Sequence, residues 1–229
     1  MQTGPDLSVV AALIGDTARA TILTALLGGQ SLPASELAYN AYVTPQTASM
    51  HLAKLVAGGL LEVNRIGRQR YYRLKNAEVA HVLETLLSIS SPIRVKSKRN
   101  SPELQALCFA RTCYDHLAGK LGVAVTEAFV HKGLIISDDQ SYLLTLEGSA
   151  WLAAHNIAEE PLHMGRRMFA RACLDWSERQ SHLAGALGAA LSGWFLENKW
   201  VSRIPASRTL LLTQVGRQGL LDEFGINIY

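Results

Sequence analysis

Cysteine is scarce: the 229 residues hold only Cys108, Cys113 and Cys173. An odd and small number excludes a disulfide framework and favours a reducing compartment. Long apolar runs are missing too. The longest, near Val9 to Ile14, falls far short of the ~18 residues a bilayer span needs. The opening Met-Gln-Thr-Gly-Pro-Asp has neither the basic nor the apolar region of a signal peptide. These absences predict a cytoplasmic protein with no membrane partner. There is also no phosphate loop, no Gly-rich dinucleotide turn and no paired-carboxylate signature. Cys113 with His116 is the one nucleophile–base candidate, and it lacks an orienting third group. The expectation is a chain that is not an enzyme and carries no cofactor.

Charged residues make up 18% and apolar residues 48%, an ordinary globular mix. Their distribution is uneven. Residues 1–100 hold eleven Lys/Arg against six Asp/Glu, whereas the remainder holds eleven against thirteen. A basic first part joined to a slightly acidic second part suggests that only the first meets a polyanion. Between them, Ser88 to Pro102 is rich in serine, proline and positive charge, which marks a boundary. The predicted organisation is a first domain over 1–90, a linker over 91–105 and a second domain over 106–229.

The second domain repeats itself. His116-Leu-Ala-Gly-Lys-Leu-Gly-Val-Ala-Val-Thr-Glu-Ala-Phe129 aligns without a gap with His182-Leu-Ala-Gly-Ala-Leu-Gly-Ala-Ala-Leu-Ser-Gly-Trp-Phe195. Arg111-Thr-Cys-Tyr-Asp115 matches Arg171-Ala-Cys-Leu-Asp175, and Leu143-Leu-Thr-Leu-Glu-Gly148 matches Leu211-Leu-Thr-Gln-Val-Gly216. Three blocks in one order indicate a duplicated unit, over about 110–157 and 170–226. Each repeat reads as helix, short β-hairpin, helix. Glycine inside a helix costs about 1 kcal/mol relative to alanine, so Gly119/Gly122 and Gly185/Gly188 require a compensating contact. Close packing of the two repeat helices is the first explanation, and a ligand pocket floored by bare backbone the second.

The first domain carries the sharper pattern. Leu7–Leu13 and Ala18–Leu27 read as amphipathic helices, with Asp16 as an N-cap between them. Ser35–Asn40 is a short third helix. Thr44 then caps a fourth, Pro45–Ala57, stopped by Gly58-Gly59. A short helix, a tight turn and a capped helix make the helix-turn-helix plan. On the fourth helix Ala48, Leu52, Leu55 and Val56 point inward, while Gln46, Thr47, Ser49, Met50 and His51 stay outside. Next, two β-rich runs flank Ile66-Gly67-Arg68, a hairpin with glycine at its turn. Arg65, Arg68, Arg70, Arg73 and Lys75 fall within eleven residues that contain no acid, which suits a wing on phosphate. The fold class is therefore mainly α with small β-hairpins (α+β): a winged helix-turn-helix domain, then a duplicated helix–hairpin–helix domain.

These residues resemble the ArsR (arsenic repressor) family of bacterial winged-helix regulators. The resemblance is carried by Ala12-Leu-Ile-Gly-Asp-Thr-Ala-Arg19, Ile22-Leu23, Ser35-Glu-Leu-Ala, Thr47-Ala-Ser-Met-His-Leu-Ala-Lys-Leu55, Gly59-Leu-Leu-Glu and Gly67-Arg-Gln-Arg-Tyr-Tyr-Arg-Leu74. It covers residues ~7–90. It implies a homodimeric repressor that binds double-stranded DNA at an inverted-repeat operator and releases it when an effector binds. The implied DNA contacts are Thr44, Pro45, Gln46, Thr47, Ser49, Met50, His51 and Lys54 on the fourth helix, with Arg65, Arg68, Gln69 and Arg70 on the wing. The resemblance favours Leu7–Leu13 with Ala77–Leu87 as the dimer contact. Many family metal sensors place a Cys-x-Cys pair before the third helix. Pro33 and Ser35 stand there instead and cannot bind a soft metal.

The effector is an unidentified small molecule or a redox signal, with Cys113, His116, Cys173, His182, Trp176 and Trp194 as candidate contacts. Cys113 and His116 lie three apart, as on one helix face, and Cys173 and His182 hold the matching places in the second repeat. Structural cysteine, a thiol redox or electrophile sensor and a metal site all remain open. The nine-residue spacing of the second pair counts against metal, and none is assigned. A protein-interaction module using the winged-helix surface is the alternative from another functional class.

Overall fold

A computed structural model of the chain describes residue 4 and residues 6–67, 69–90, 102–164 and 167–228. Arg68 and most of the expected linker lie outside the described residues. The chain forms two compact units, Met1–Leu83 and Glu84–Tyr229. The division thus falls seven residues before the boundary expected at 90.

The first unit begins with α1 (Leu7–Ile14) and α2 (Thr17–Ala25). Asp16 caps α2 by accepting from the Arg19 amide at 2.9 Å. The Arg19 guanidinium donates back to the carbonyls of Leu13 and Ala12, each at 2.7 Å, and so closes the C-terminal end of α1. Helix α2 ends before Leu26 and Leu27 because their amides turn to carbonyls only three residues back, at Leu23 and Thr24. Both leucines are nevertheless fully buried. After β1 (Leu32–Pro33) and α3 (Ala34–Asn40) comes α4 (Pro45–Ala57), then the hairpin β2 (Leu61–Ile66) and β3 (Gln69–Leu74). The three strands form one antiparallel sheet in the order β1-β3-β2. Its core gathers Ile22, Leu23, Leu37, Ala48, Leu52, Leu55, Leu61 and Tyr72. Helix α1 buries none of its residues within the chain, and Leu7 is 79% exposed.

Helix α5 (Ala77–Ile89) runs across the division. The second unit continues with α6 (Pro102–Phe109), β4 (Arg111–Cys113), β5 (His116–Ala118), α7 (Gly119–His131), β6 (Ile135–Asp138), β7 (Ser141–Leu144) and α8 (Leu146–Ala154). The short α9 (Glu160–His163) leads to β8 (Arg171–Leu174), β9 (Ser181–Ala184), α10 (Gly185–Glu197), β10 (Val201–Arg203), β11 (Leu210–Leu212) and α11 (Gln214–Phe224). Residues 102–105, expected in the linker, open α6, where proline is tolerated in a first turn.

Each repeat is thus hairpin, helix, hairpin, helix rather than helix, hairpin, helix. The difference lies at Cys113 and His116, which are not on a helix. Tyr114 takes a left-handed conformation (φ 61°) and turns β4 back on β5, so that Cys113 and His116 face each other across the strands. The packing is exchanged between repeats: α7 lies against β9, and α10 against β5. The core centres on Leu121, Phe129, Leu187, Leu191, Phe195 and Leu220.

Candidate functional site

On the first unit, Thr44 accepts from the Thr47 amide at 3.2 Å and Pro45 occupies the first turn, fixing where α4 starts. Ala48, Leu52 and Leu55 anchor the helix inside, leaving Thr44, Pro45, Gln46, Ser49, Met50 and Lys54 exposed, Met50 by 61%. Thr47 is half-buried. His51 departs from the expected outer face. Its Nδ1 lies 3.4 Å from the Arg19 guanidinium and 3.8 Å from the Asp16 carboxylate, so the ring packs on the α1–α2 corner. Val56 also sits only half-buried.

The hairpin register pairs Ile66 with Gln69, and Gly67, which follows Ile66, takes a left-handed φ of 61° that suits a tight reversal. Arg65 and Arg70 are directly opposed and exposed. Like charges facing each other across a strand pair are unfavourable, and no carboxylate pairs with either among the described residues. Arg73, by contrast, is neutralised by Glu62 across the same ladder. A groove of about 540 Å³ separates α4 from the wing, and Ser49, Ala53, Val63, Arg65, Arg70 and Tyr72 line it. The helix and the two facing arginines therefore share one concave surface.

In the second unit the candidate effector residues divide. Trp176 donates through Nε1 to Glu84 at 3.0 Å, and its ring lies 4.7 Å from the Arg111 guanidinium carbon, so it belongs to a buried charge network. Trp194 joins Trp151, Phe195 and Trp200 in an aromatic cluster and borders a cavity of about 460 Å³ with His155, Ile157 and Glu197. The other four converge. Cys113 pairs with His116 and Cys173 with His182 in matching hairpin registers. One ligating atom from each lies within 4.8 Å of the others. The nine-residue spacing is only a longer β8–β9 loop.

The cluster is nearly closed to solvent: Cys113 is 4% exposed, His116 2% and His182 1%, while Cys173 is half-buried. His116 Nε2 and His182 Nε2 lie 3.1 Å apart. His182 Nδ1 sits 3.1 Å from Asp175 and His116 Nδ1 3.5 Å from Asp115. Each aspartate is in turn held by an arginine. Asp175 accepts from Arg111 at 2.9 and 3.0 Å and Asp115 from Arg167 at 2.8 Å. The Cys173 sulfur beside it, together with burial, pushes the Cys113 thiol up to about 11. The shared hydrogen bond moves Cys173 the other way, against its own burial. Burial opposes charge on both Asp175 and His182. Their mutual contact, reinforced by Arg111 on Asp175, still leaves Asp175 far below the usual carboxylate range and His182 raised.

Sequence reasoning takes Glu84, together with Glu78 and His81, for part of a solvated helix face, whereas Glu84 is 5% exposed, and it gives no role to Arg111, Asp175 or Arg208. Arg111 bridges Glu84 and Asp175 at 0% exposure, and Arg208 also reaches Glu84, at 3.1 Å. No short-range pattern joins these positions. The available signal was Arg111 and Asp115 recurring as Arg171 and Asp175 in the repeat alignment.

Residues 14–64 match the family model described as a helix-turn-helix domain. Over 224 residues, 98% of this chain and 99% of the relative, the sequence is 46% identical to the uncharacterized HTH-type transcriptional regulator YdfF of Bacillus subtilis (strain 168). Among solved structures, the homodimeric winged helix-turn-helix DNA-binding domain Mb0332 of Mycobacterium bovis, a possible ArsR-family regulator, is 26% identical. It covers 38% of this chain and 86% of its own, with a TM-score of 0.32. The cadmium metal-sensor CMTR of Mycobacterium tuberculosis is 30% identical, covering 40% and 94%, with a TM-score of 0.33. Among the described residues no single helix is long and apolar enough to cross a membrane.

Proposed function

We propose that this chain, a member of the HTH-type transcriptional regulators, is an ArsR-like, cytoplasmic, non-catalytic, dimeric repressor whose second unit senses an effector. Helix α4 enters the major groove, where the exposed side chains of Gln46 and Ser49 meet base edges. Thr44 and Lys54 take flanking phosphates, and the wing arginines hold the backbone beside the groove. One observation carries this reading. Arg65 and Arg70 oppose each other without a carboxylate among the described residues, on the same groove as Ser49. A polyanion resolves the repulsion that the fold leaves standing.

Two copies would read an inverted repeat whose half-sites lie about 34 Å apart, or a multiple of that. Leu7 and Val9 on α1 and Val82 on α5 are exposed apolar residues, which supports the dimer contact expected of those helices. The test is fluorescence anisotropy on the DNA upstream of the gene across a salt series. Affinity should fall linearly on logarithmic axes, with a slope of about −0.9 for each phosphate neutralised. A salt-independent curve would overturn the assignment.

A further inference from the structure

We propose that Cys113, His116, Cys173 and His182 form one tetrahedral site for a divalent transition metal of the zinc class, with each repeat supplying one thiolate and one imidazole. The first support is convergence. Four side chains from two hairpins place their ligating atoms within 4.8 Å of one another. Metal–nitrogen bonds of about 2.0–2.1 Å in a tetrahedron put two imidazole nitrogens about 3.3 Å apart. His116 Nε2 and His182 Nε2 already stand at 3.1 Å. Metal–sulfur bonds of about 2.3 Å set the remaining edges at roughly 3.5–3.8 Å, so closing the shell needs movements of about 1 Å or less.

The second support is the surroundings. Ligating histidines are commonly oriented by a carboxylate at the other ring nitrogen. Here Asp175 lies 3.1 Å from His182 Nδ1 and Asp115 lies 3.5 Å from His116 Nδ1, the same position in each repeat. Both Nδ1 atoms are buried without a hydrogen bond as the rings stand, and a small ring rotation onto these aspartates would turn both Nε2 atoms toward a common ion. Arg111 holds Asp175 in a fully buried pair and Arg167 holds Asp115 nearer the surface, although the two arginines do not occupy equivalent places in the repeats.

The third support is symmetry that packing alone does not require. Cys113 faces His116 and Cys173 faces His182 at equivalent register positions, although the connecting loops differ by six residues. Gly122 on α7 lies under His182, and Gly188 on α10 lies under His116, so each repeat's helix shelters the other repeat's histidine. Two thiolates balance the charge of a divalent ion, and a nitrogen–sulfur set disfavours magnesium and calcium. Four protein ligands leave no open position, the mark of a site that joins structure or reports metal rather than one that performs catalysis.

The test uses the full, untagged chain kept reduced, stripped with a chelator and titrated anaerobically with cobalt(II). This inference does not depend on DNA reading, because the cobalt signal is recorded without DNA. We expect one cobalt per chain, visible tetrahedral bands with thiolate-to-cobalt charge transfer, and displacement by one equivalent of zinc. Cys113→Ser and His182→Ala should abolish the charge-transfer spectrum, whereas Cys108→Ser, outside the cluster, should keep it. Asp115→Asn, at a partly exposed position, should weaken binding about 10-fold while retaining the spectrum. Zinc should raise the melting temperature of the wild-type chain and leave that of Cys113→Ser unchanged. The idea fails if stripped wild-type protein with native tryptophan fluorescence takes up no cobalt or gives an octahedral spectrum. It fails equally if air joins Cys113 to Cys173 while the reduced chain binds no metal.

Discussion

Gly188→Ala and Gly193→Ala should move the stability of the second unit in opposite directions, although both lie in α10. Replacing glycine by alanine inside a helix gains about 1 kcal/mol from propensity and from a less flexible unfolded chain. At Gly193 an added Cβ would meet nothing within 4 Å, so that gain should survive as about 0.5–1 kcal/mol. At Gly188 the same atom would stand 2.4 Å from the Leu183 carbonyl oxygen, 2.8 Å from its carbon and 3.3 Å from His116 Cβ. Leu183 cannot yield easily. It pairs with Ala172 across the sheet, and its amide donates to Thr126 Oγ1 at 2.8 Å. Forcing an extra methyl into such a place costs about 1–3 kcal/mol or more beyond the propensity gain. At about 3 °C per kcal/mol for a domain of this size, Gly193→Ala should melt about 2–3 °C higher and Gly188→Ala about 3–9 °C lower. Tryptophan fluorescence isolates the relevant unit, because all four tryptophans, Trp151, Trp176, Trp194 and Trp200, belong to it. A Gly188→Ala chain as stable as Gly193→Ala would refute this account of the helix glycines.

Further expectations follow from the groove and the charge network. Arg65→Ala and Arg70→Ala should each reduce the salt slope of DNA binding by about 0.9, measured by anisotropy, with little change in sequence preference. Gln46→Ala should instead relax discrimination at one base pair by about 1–3 kcal/mol, read by competition among single-base operator variants. Glu84→Gln leaves Arg111 and Arg208 without their shared anion and should cost about 3–5 kcal/mol in urea unfolding of the second unit. The same residue predicts a pH dependence. Burial raises the Glu84 carboxyl, but Arg208, Arg111 and Trp176 together bring it below its ordinary value of 4.5. A lowered folded value contributes stability that is complete above about pH 4.5 and fades as pH falls through that folded value. The gap between wild type and Glu84→Gln should therefore narrow in acid and stay constant above about pH 5; a gap that widens in acid would reverse the sign.

The reading unit was legible because its punctuation is local. Thr44, Pro45 and Gly58 bound α4 at both ends, so Pro45–Ala57 could be placed to the residue. His51 was misplaced because its partners, Asp16 and Arg19, lie on a corner that helical periodicity does not describe. The repeats were visible, but their first elements were not. A three-residue separation suits neighbours on a helix face and the closing pair of a tight hairpin equally well. The decisive sign lay in the alignment itself. Helical neighbours lose their contact when six residues are inserted between them, whereas cross-strand neighbours keep theirs and lengthen the loop. Cys173 and His182 can correspond to Cys113 and His116 only on hairpins.

That correspondence also explains where the second unit spends its few buried charges. A buried ion pair is weak support for stability, since well-packed apolar residues often do as well, and fixing one arrangement among several is a use apolar residues serve poorly. Asp175 meets this need. It accepts from Arg111 on β4, from the Gly119 amide at 2.7 Å where α7 begins, and from Ser177 in its own loop, while its Oδ2 faces His182. The first repeat's strand and helix are thereby registered against the second repeat's histidine through one carboxylate. Leucine at 175 could fill the volume but would leave the Arg111 guanidinium and the Gly119 amide unpaired, and it would free the His182 ring to rotate. The resulting chain could remain compact while its four thiol and imidazole groups no longer met at one point, and so Asp175 acts on the geometry of the cluster beyond any contribution to folding.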